Sequence, residues 1–118
     1  TVFHSAAGLG NEAVLSALLD KAGYEDHCSS DGATPLHRAA MCGHVEVASL
    51  LVRWHADLEA RKKDGATPLH LAARFGHAFV VTLLREFKAD PEALDASGRT
   101  PAVLAESGGH SEACDLLA

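Results

Sequence analysis

A fourteen-residue segment that returns 33 positions later constrains the fold of this chain more than any other feature of its sequence. Residues 31–44 read DGATPLHRAAMCGH, and residues 64–77 read DGATPLHLAARFGH. Weaker copies keep the same period at both ends, where equivalent residues recur: Thr1, Thr34, Thr67 and Thr100, then Gly10, Gly43, Gly76 and Gly109. Self-similarity at a period of roughly 20–50 residues predicts a stack of like units that bury their apolar faces against each other.

Within each well-formed copy, the residues predict two short helices. Thr34 suits the N-cap, because its hydroxyl can accept hydrogen bonds from the free amides of the first turn. Pro35 suits the first helical position, where a missing amide costs nothing, and Gly43 can adopt the left-handed conformation that ends a helix. Apolar residues on one face complete each helix: Leu36, Ala39 and Ala40 in the first, and Val47, Leu50 and Leu51 in the second.

The pattern Thr-Pro-Leu-His-x-Ala, at 34–39 and again at 67–72, resembles the ankyrin-repeat family. The resemblance covers the whole chain, as two well-formed repeats flanked by two degenerate ones. It implies an all-α solenoid of stacked helix–turn–helix units joined by short β-hairpin-like loops. We expect a single domain over residues 1–118 with repeats at about 1–30, 31–63, 64–96 and 97–118.

Charge and hydropathy exclude two classes of partner. The chain carries 10 basic and 16 acidic residues, which gives a net charge of −6. This balance argues against a nucleic-acid-binding surface, because such a surface needs clustered Lys and Arg. No apolar run approaches the roughly 18 residues of a membrane span. We therefore expect neither a nucleic-acid nor a membrane partner.

Three scattered cysteines, Cys28, Cys42 and Cys114, form no CxxC pair. An odd, widely spaced set fits a reducing compartment better than a disulfide scaffold. No signal peptide opens the chain, and we expect an intracellular protein of the cytoplasm or the nucleus. An organelle stays open, because the chain begins within a repeat and a targeting segment could precede it.

Eight histidines invite a metal hypothesis, but six of them occupy repeat positions. Equivalent residues on packed helices lie about 8–10 Å apart, whereas zinc needs its nitrogen ligands about 2.0–2.1 Å from one ion. The sequence therefore predicts no metal site and no cofactor. The family resemblance instead implies that His37 and His70 hydrogen-bond within the loop and the helix start. No GxSxG, GxxxxGK[ST] or HExxH motif is present, so we expect no enzyme.

The resemblance also places a binding surface on the loop tips and on the concave face that the first helices form. Eleven of the twelve predicted contact residues are carried over position by position from the family, and Arg38 is added because of its charge: Leu9, Asp31, Ala33, Arg38, Met41, Cys42, Lys63, Asp64, Ala66, Arg74, Phe75 and Arg99.

Side chains within this set suggest the chemistry of a partner. Leu9, Met41 and Phe75 form an apolar row, and Met and Phe are suited to binding surfaces. We expect a protein or peptide segment with an apolar anchor near Met41 and Phe75 and with acidic groups facing the basic residues Arg38, Lys63 and Arg74. The alternative is that these side chains only cover the groove. The basic run at 61–63 is likewise either a solvated loop tip or a positive patch that selects an acidic partner.

Two connecting loops depart from the family pattern. His55 and Lys88 stand where the family usually has Gly, before an Ala-Asp pair. Because a positive φ is uncommon in any other residue, we expect these loops to carry strain or to bend differently. Trp54 and Phe87, at equivalent positions at the ends of the second helices, are expected to pack between repeats or to cover the outer face.

These features together predict a non-catalytic protein–protein interaction module. In the first interpretation, a monomeric domain serves as the recognition part of a larger adaptor, scaffold or regulatory protein. In the alternative, the domain is an autoinhibitory or assembly element that docks on another domain of its own full-length chain.

Overall fold

A computed structural model describes Gly10 and residues 12–22, 32–54 and 56–117, without the side chains of Leu18, Leu19, Lys21 and Ala22. Within these residues the secondary structure is entirely helical, which confirms the predicted all-α class. The helices follow in chain order: α1 (Glu12–Ala22), α2 (Pro35–Cys42), α3 (Val45–Arg53), α4 (Pro68–Arg74), α5 (Ala78–Glu86), α6 (Pro101–Ser107) and α7 (Ser111–Leu117).

The helices form two stacked layers. The first helices of the units, α2, α4 and α6, pack successively against one another, and the second helices, α1, α3, α5 and α7, do the same. Within each unit the two helices also pack together, as α2 with α3, α4 with α5, and α6 with α7. This arrangement confirms the predicted solenoid of helix–turn–helix units.

Two of the first helices, α2 and α4, begin at reciprocal caps. Thr34 has an extended backbone, and its hydroxyl accepts the amide hydrogen of His37 at 3.3 Å. In return, Nδ1 of His37 accepts the amide hydrogen of Thr34 at 3.0 Å. Thr67 and His70 repeat both bonds, at 3.4 and 3.1 Å. Two otherwise free amides are satisfied at each helix start, as the N-cap prediction required.

The same imidazoles join successive units. Because Nδ1 of His37 accepts from an amide, this nitrogen is unprotonated and Nε2 carries the hydrogen. Nε2 donates to the carbonyl oxygen of Ala66 at 2.9 Å. His70 donates in the same way to the carbonyl oxygen of Arg99 at 2.9 Å. The structural role expected of both histidines is confirmed.

The core is built from small and branched side chains. Every residue of the predicted stripes is buried, except that Leu50 and Leu83 are only partly buried against the core: Leu36, Ala39, Ala40, Val47 and Leu51, then Leu69, Ala72, Ala73, Val80 and Leu84. Alanines on the first helices let neighbouring helices approach closely, so the layers stack without large aromatic side chains.

Two helix ends show how the chain turns. Gly43 has φ 77°, and the amide of His44 donates to the carbonyl oxygen of Ala39, so the predicted left-handed stop is confirmed. Lys88 has φ 70°, the one non-glycine residue with positive φ among those described. His55 lies outside the described residues. Of the two equivalent aromatic residues, Trp54 packs against the core, whereas Phe87 is 43% exposed.

The loops between units close as short hairpins. The amide of Lys62 donates to the carbonyl oxygen of Ala66 at 3.0 Å, and the amide of Asp95 donates to that of Arg99 at the same distance. A further bond, from the amide of Ala96 to the carbonyl oxygen of Asp64, joins the two loops. Among the described helices, none has both the length and the apolar character that crossing a membrane requires.

Candidate functional site

Three of the predicted site residues meet in one cleft. Arg74, Phe75 and Arg99 line a cavity of about 290 Å³, together with Leu104, Ser107 and Gly108. Arg74 and Phe75 lie at the end of α4, and Arg99 precedes the N-cap of α6. Because α4 and α6 pack against each other, the cleft lies along the boundary between two successive units.

The cleft combines an aromatic surface with positive charge. Phe75 is 45% exposed, and the guanidinium carbon of Arg74 lies 5.7 Å from the centre of its ring. A contact of this kind holds the cation over the aromatic face. Among the described residues Arg74 forms no ion pair, so its charge is available to a ligand.

Arg99 is held in place by its own loop. Its Nε donates to Oδ2 of Asp95 at 3.0 Å, while half of the side chain stays exposed. Burial alone would raise the pKa of the Asp95 carboxyl, but hydrogen bonds from the amides of Arg99 and Ser97 and the Arg99 charge together lower the pKa below its ordinary value. Asp95 is therefore a fixed carboxylate that positions Arg99 at the rim of the cleft.

Other predicted site residues lie along the same layer of first helices or its loops. Arg38 on α2 is half-buried, and its Nε is buried without a hydrogen-bond acceptor in the structure as described. Met41 packs partly against the core, and its carbonyl oxygen accepts a hydrogen bond from Nε2 of His77 at 2.9 Å. Cys42 is an exposed free thiol, and Lys63 and Asp64 are exposed in the loop before α4.

Two predicted contact residues present almost no surface. Ala33 is 1% exposed and Ala66 is 5% exposed, and each directly precedes the Thr that caps a first helix. The side chains of both residues therefore offer a partner little area to contact. Leu9 and Asp31 lie outside the described residues.

The basic residues at 61–63 have different roles, since one of them holds the loops together and another is exposed to solvent. Arg61 donates to the carbonyl oxygen of Gly65 at 3.0 Å and also to that of Leu94 in the next loop. Its guanidinium therefore connects two units, whereas Lys63 remains exposed. Within the described ranges, no three side chains of His, Cys, Asp or Glu lie close enough together to hold a metal ion.

Three lining residues are missing from the predicted contact set, namely Leu104, Ser107 and Gly108, and Leu104 is the apolar one. It is 6% exposed and forms part of the cleft wall beside Arg99. Its equivalents one and two units earlier are Leu71 and Arg38. The sequence shows that Leu replaces Arg at this repeat position in the later units. Whether Leu104 lines a cavity, however, depends on how α4 and α6 pack.

Comparisons with known proteins agree with this architecture. A family model described as ankyrin repeats (3 copies) matches residues 53–118, and a model described as ankyrin repeats (many copies) matches residues 3–52. A zebrafish (Danio rerio) protein named ankyrin repeat and SAM domain-containing protein 6 is 44% identical over 57 residues, which span 48% of this chain and 8% of that protein. Because the first model covers more than half of the sequence, the chain belongs to the ankyrin-repeat family, whose repeats are generally protein–protein interaction modules and typically non-catalytic.

Proposed function

We propose that this chain is the recognition part of a larger adaptor, scaffold or regulatory protein. It acts as a monomer and binds an acidic, partly apolar segment of another protein along the layer of first helices. The observation that carries this proposal is the cleft in which two arginines, Arg74 and Arg99, flank the exposed ring of Phe75.

Each wall of the cleft suits one part of such a segment. An aliphatic or aromatic side chain of the partner would cover Phe75 and contact Leu104, which removes apolar surface from water. A carboxylate next to that side chain would meet the guanidinium of Arg74, which forms no ion pair with any other described residue, and the exposed half of Arg99. Arginine and aromatic residues are the types that most often dominate the energy of protein interfaces.

Residues on the preceding unit extend this surface. Arg38, Met41 and Cys42 lie on α2, which packs beside α4 in the same layer, and Lys63 lies in the loop between these units. An extended segment that crosses several units would meet these side chains before it reached the cleft. The chain as a whole is acidic and repels an acidic segment, whereas these basic residues attract it. The local positive charge therefore determines where and in which orientation the segment binds.

A peptide titration tests the surface directly. The probe is a short fluorescent peptide with glutamates on both sides of a phenylalanine, and its twin has lysines in place of the glutamates. We expect Phe75→Ala to weaken binding of the acidic probe by about tenfold and Arg74→Glu to abolish it. Phe87→Ala and Arg53→Glu change an exposed Phe and an exposed Arg of the other layer, and should bind as the parent does.

Capture from a cell lysate, with the same variants as baits, then identifies the natural partner. A protein that the parent and both control variants retain, and that Phe75→Ala and Arg74→Glu lose, supports the proposal if its bound segment is acidic. Equal retention by all variants overturns the choice of surface. Capture only of another part of the full-length protein would support intramolecular docking, and light scattering of the free chain tests the monomer.

A further inference from the structure

A second aromatic side chain is exposed on the other layer of helices. Phe79, the second residue of α5, is 79% exposed, the largest value for any large apolar side chain among the described residues. The next two residues, Val80 and Val81, are fully buried, so the helix itself is well packed. A single exposed apolar residue is ordinary in a soluble protein, and the surroundings of Phe79 therefore decide its meaning.

Those surroundings are acidic. The residues one unit before and one unit after Phe79 are Glu46 on α3 and Glu112 on α7, and both are exposed. Because α3, α5 and α7 pack side by side, with neighbouring helix axes about 8–10 Å apart, Phe79 stands between Glu46 and Glu112 in one row of equivalent positions. Within the described chain neither carboxylate forms an ion pair.

The ring also forms one wall of a cleft. A cavity of about 220 Å³ lies beside the starts of α5 and α7, and its lining is mainly small or apolar: Gly43, Val45, Gly76, His77, Ala78, Phe79, Val80 and Glu112. The glycines present no side chain that could fill this space. An open cleft with an aromatic wall and a carboxylate on its edge is the result.

We propose that this surface, formed by Glu46, Phe79, Glu112 and the cleft between them, binds a basic segment of a partner protein. The negative face of an aromatic ring attracts a guanidinium or ammonium group that lies within about 6 Å of its centre. The flanking carboxylates stabilise the same positive charge, and the methylene groups of an Arg or Lys side chain cover the apolar wall.

The charges of neighbouring residues favour this occupant over a second copy of the chain. A symmetric contact that placed Phe79 against Phe79 would also bring Glu46 and Glu112 close to identical carboxylates, in a protein of net charge −6. The arginines of the same helices, Arg53 and Arg85, lie at their opposite ends. Arg85 is moreover held by the carbonyl oxygen of Leu116.

A titration with a basic probe tests the inference. The probe is a short labelled peptide with arginines around a leucine, and its twin has glutamates in place of the arginines. In NMR spectra of the ¹⁵N-labelled protein, the arginine peptide should shift the amides of Gly43, Gly76, His77, Phe79 and Glu112. The twin should leave the amides of Phe79 and Glu112 in place, because these residues lie outside the cleft proposed for acidic segments, and added salt should weaken binding of the arginine peptide.

Variants show whether the ring itself is responsible. Phe79→Ala should weaken binding of the arginine peptide by about threefold to fivefold, whereas Phe79→Tyr should restore most of the affinity. Phe87→Ala removes another exposed Phe from the end of the same helix and should have no effect. Because Phe79 is so exposed, the melting temperatures of Phe79→Ala and Phe79→Tyr should equal that of the parent, which separates binding from folding.

Two results would overturn the inference. One is equal affinity of the parent and Phe79→Ala for the arginine peptide, since non-specific attraction to an acidic protein would then explain the binding. The other is concentration-dependent self-association that Phe79→Ala removes, because the surface would then bind a second copy. Neither result bears on the acidic segment proposed for the first helices, whose cleft does not include Phe79.

Discussion

At the scale of single residues, two features prevent a side chain at position 43. One is the left-handed backbone of Gly43, and the other is a histidine of the next unit that lies against it. Gly43 has φ 77°, and a Cβ placed on it would lie 2.5 Å from Nδ1 of His77. The other ring nitrogen of His77 donates to the carbonyl oxygen of Met41. A side chain at Gly43 therefore could not be accommodated unless the imidazole moved and gave up this bond.

Gly109 has the left-handed backbone without the neighbouring imidazole, so a comparison of the two glycines separates backbone strain from the steric clash. It has φ 74°, but no atom lies within 4 Å of the position that a Cβ would take. We expect Gly109→Ala to cost about 1–2 kcal/mol of unfolding free energy, from backbone strain alone. Gly43→Ala should cost about 1 kcal/mol more, because the His77 bond is also lost. Urea unfolding measures both, and equal costs would show that the imidazole yields freely.

Lys88 is the reverse case, a side chain where glycine is favoured. It has φ 70°, and its amide and that of Ala89 donate back to Arg85 and Leu84, as in the helix end that glycine usually closes. We expect Lys88→Gly to stabilise the fold by about 0.5–1 kcal/mol, seen as a melting temperature a few degrees higher. Lys88→Ala retains the strain and should give no such rise. If Ala were as good as Gly, loss of the Lys side chain would be the cause.

At the scale of secondary-structure elements, the loops carry the connections between helix pairs. His37 and His70 donate to the carbonyl oxygens of Ala66 and Arg99, so α2 and α4 each hold the loop of the next unit. In α6, Val103 occupies the histidine position, and within the described residues the hydroxyl of Thr100 accepts only the amide hydrogen of Val103. The cap of α6 thus lacks both the reciprocal bond and the connection onward.

Asp95 makes the loop before α6 sensitive to acid. Since the pKa of its carboxyl lies below the ordinary value of 3.8, the folded chain binds this proton less tightly than the unfolded chain. The stabilisation that the Asp95 carboxylate provides is therefore complete above pH 3.8 and is lost as the pH falls through the lowered pKa of this group. Asp95→Asn should cost about 1–2 kcal/mol at neutral pH, and this difference from the parent should shrink below pH 3.8.

Thermal melts at several pH values measure this effect. Asp115→Asn, an exposed position on α7, is the control for the loss of one negative charge. If the melting temperatures of the parent and Asp95→Asn fell in parallel below pH 3.8, the carboxylate would not be the stabilising group.

The sequence predicts these elements well because their signals are local. Thr34 and Pro35 are adjacent, so the cap and the helix start follow from local residue types, whereas the role of the His37 imidazole was implied by the family resemblance. The cleft was harder, since Arg99 and Leu104 meet Arg74 only through the packing of α6 on α4. Burial of Ala33 and Ala66 likewise depends on how tightly the loops close, which a pattern of residue types does not encode.

At the scale of the whole molecule, the net charge of −6 conceals an uneven distribution. The cleft at the end of α4 is lined by Arg74 and Arg99, whereas the surface at the start of α5 lies between Glu46 and Glu112. The two proposals therefore assign ligands of opposite charge to the two layers of helices. A domain with this arrangement could hold an acidic and a basic segment together, which is the work of an adaptor.

Two matched substitutions test whether these surfaces are independent. Phe75 and Phe79 lie on either side of the turn at Gly76 and His77, and replacing each with Ala changes no charge. We expect Phe75→Ala to lose affinity for the glutamate peptide and to bind the arginine peptide as the parent does, and Phe79→Ala to do the reverse. Each titration uses one peptide at a time, because the probes would otherwise bind each other. If either variant weakened both probes, the two rings would belong to one continuous surface across the turn, and the chain would hold one segment at a time.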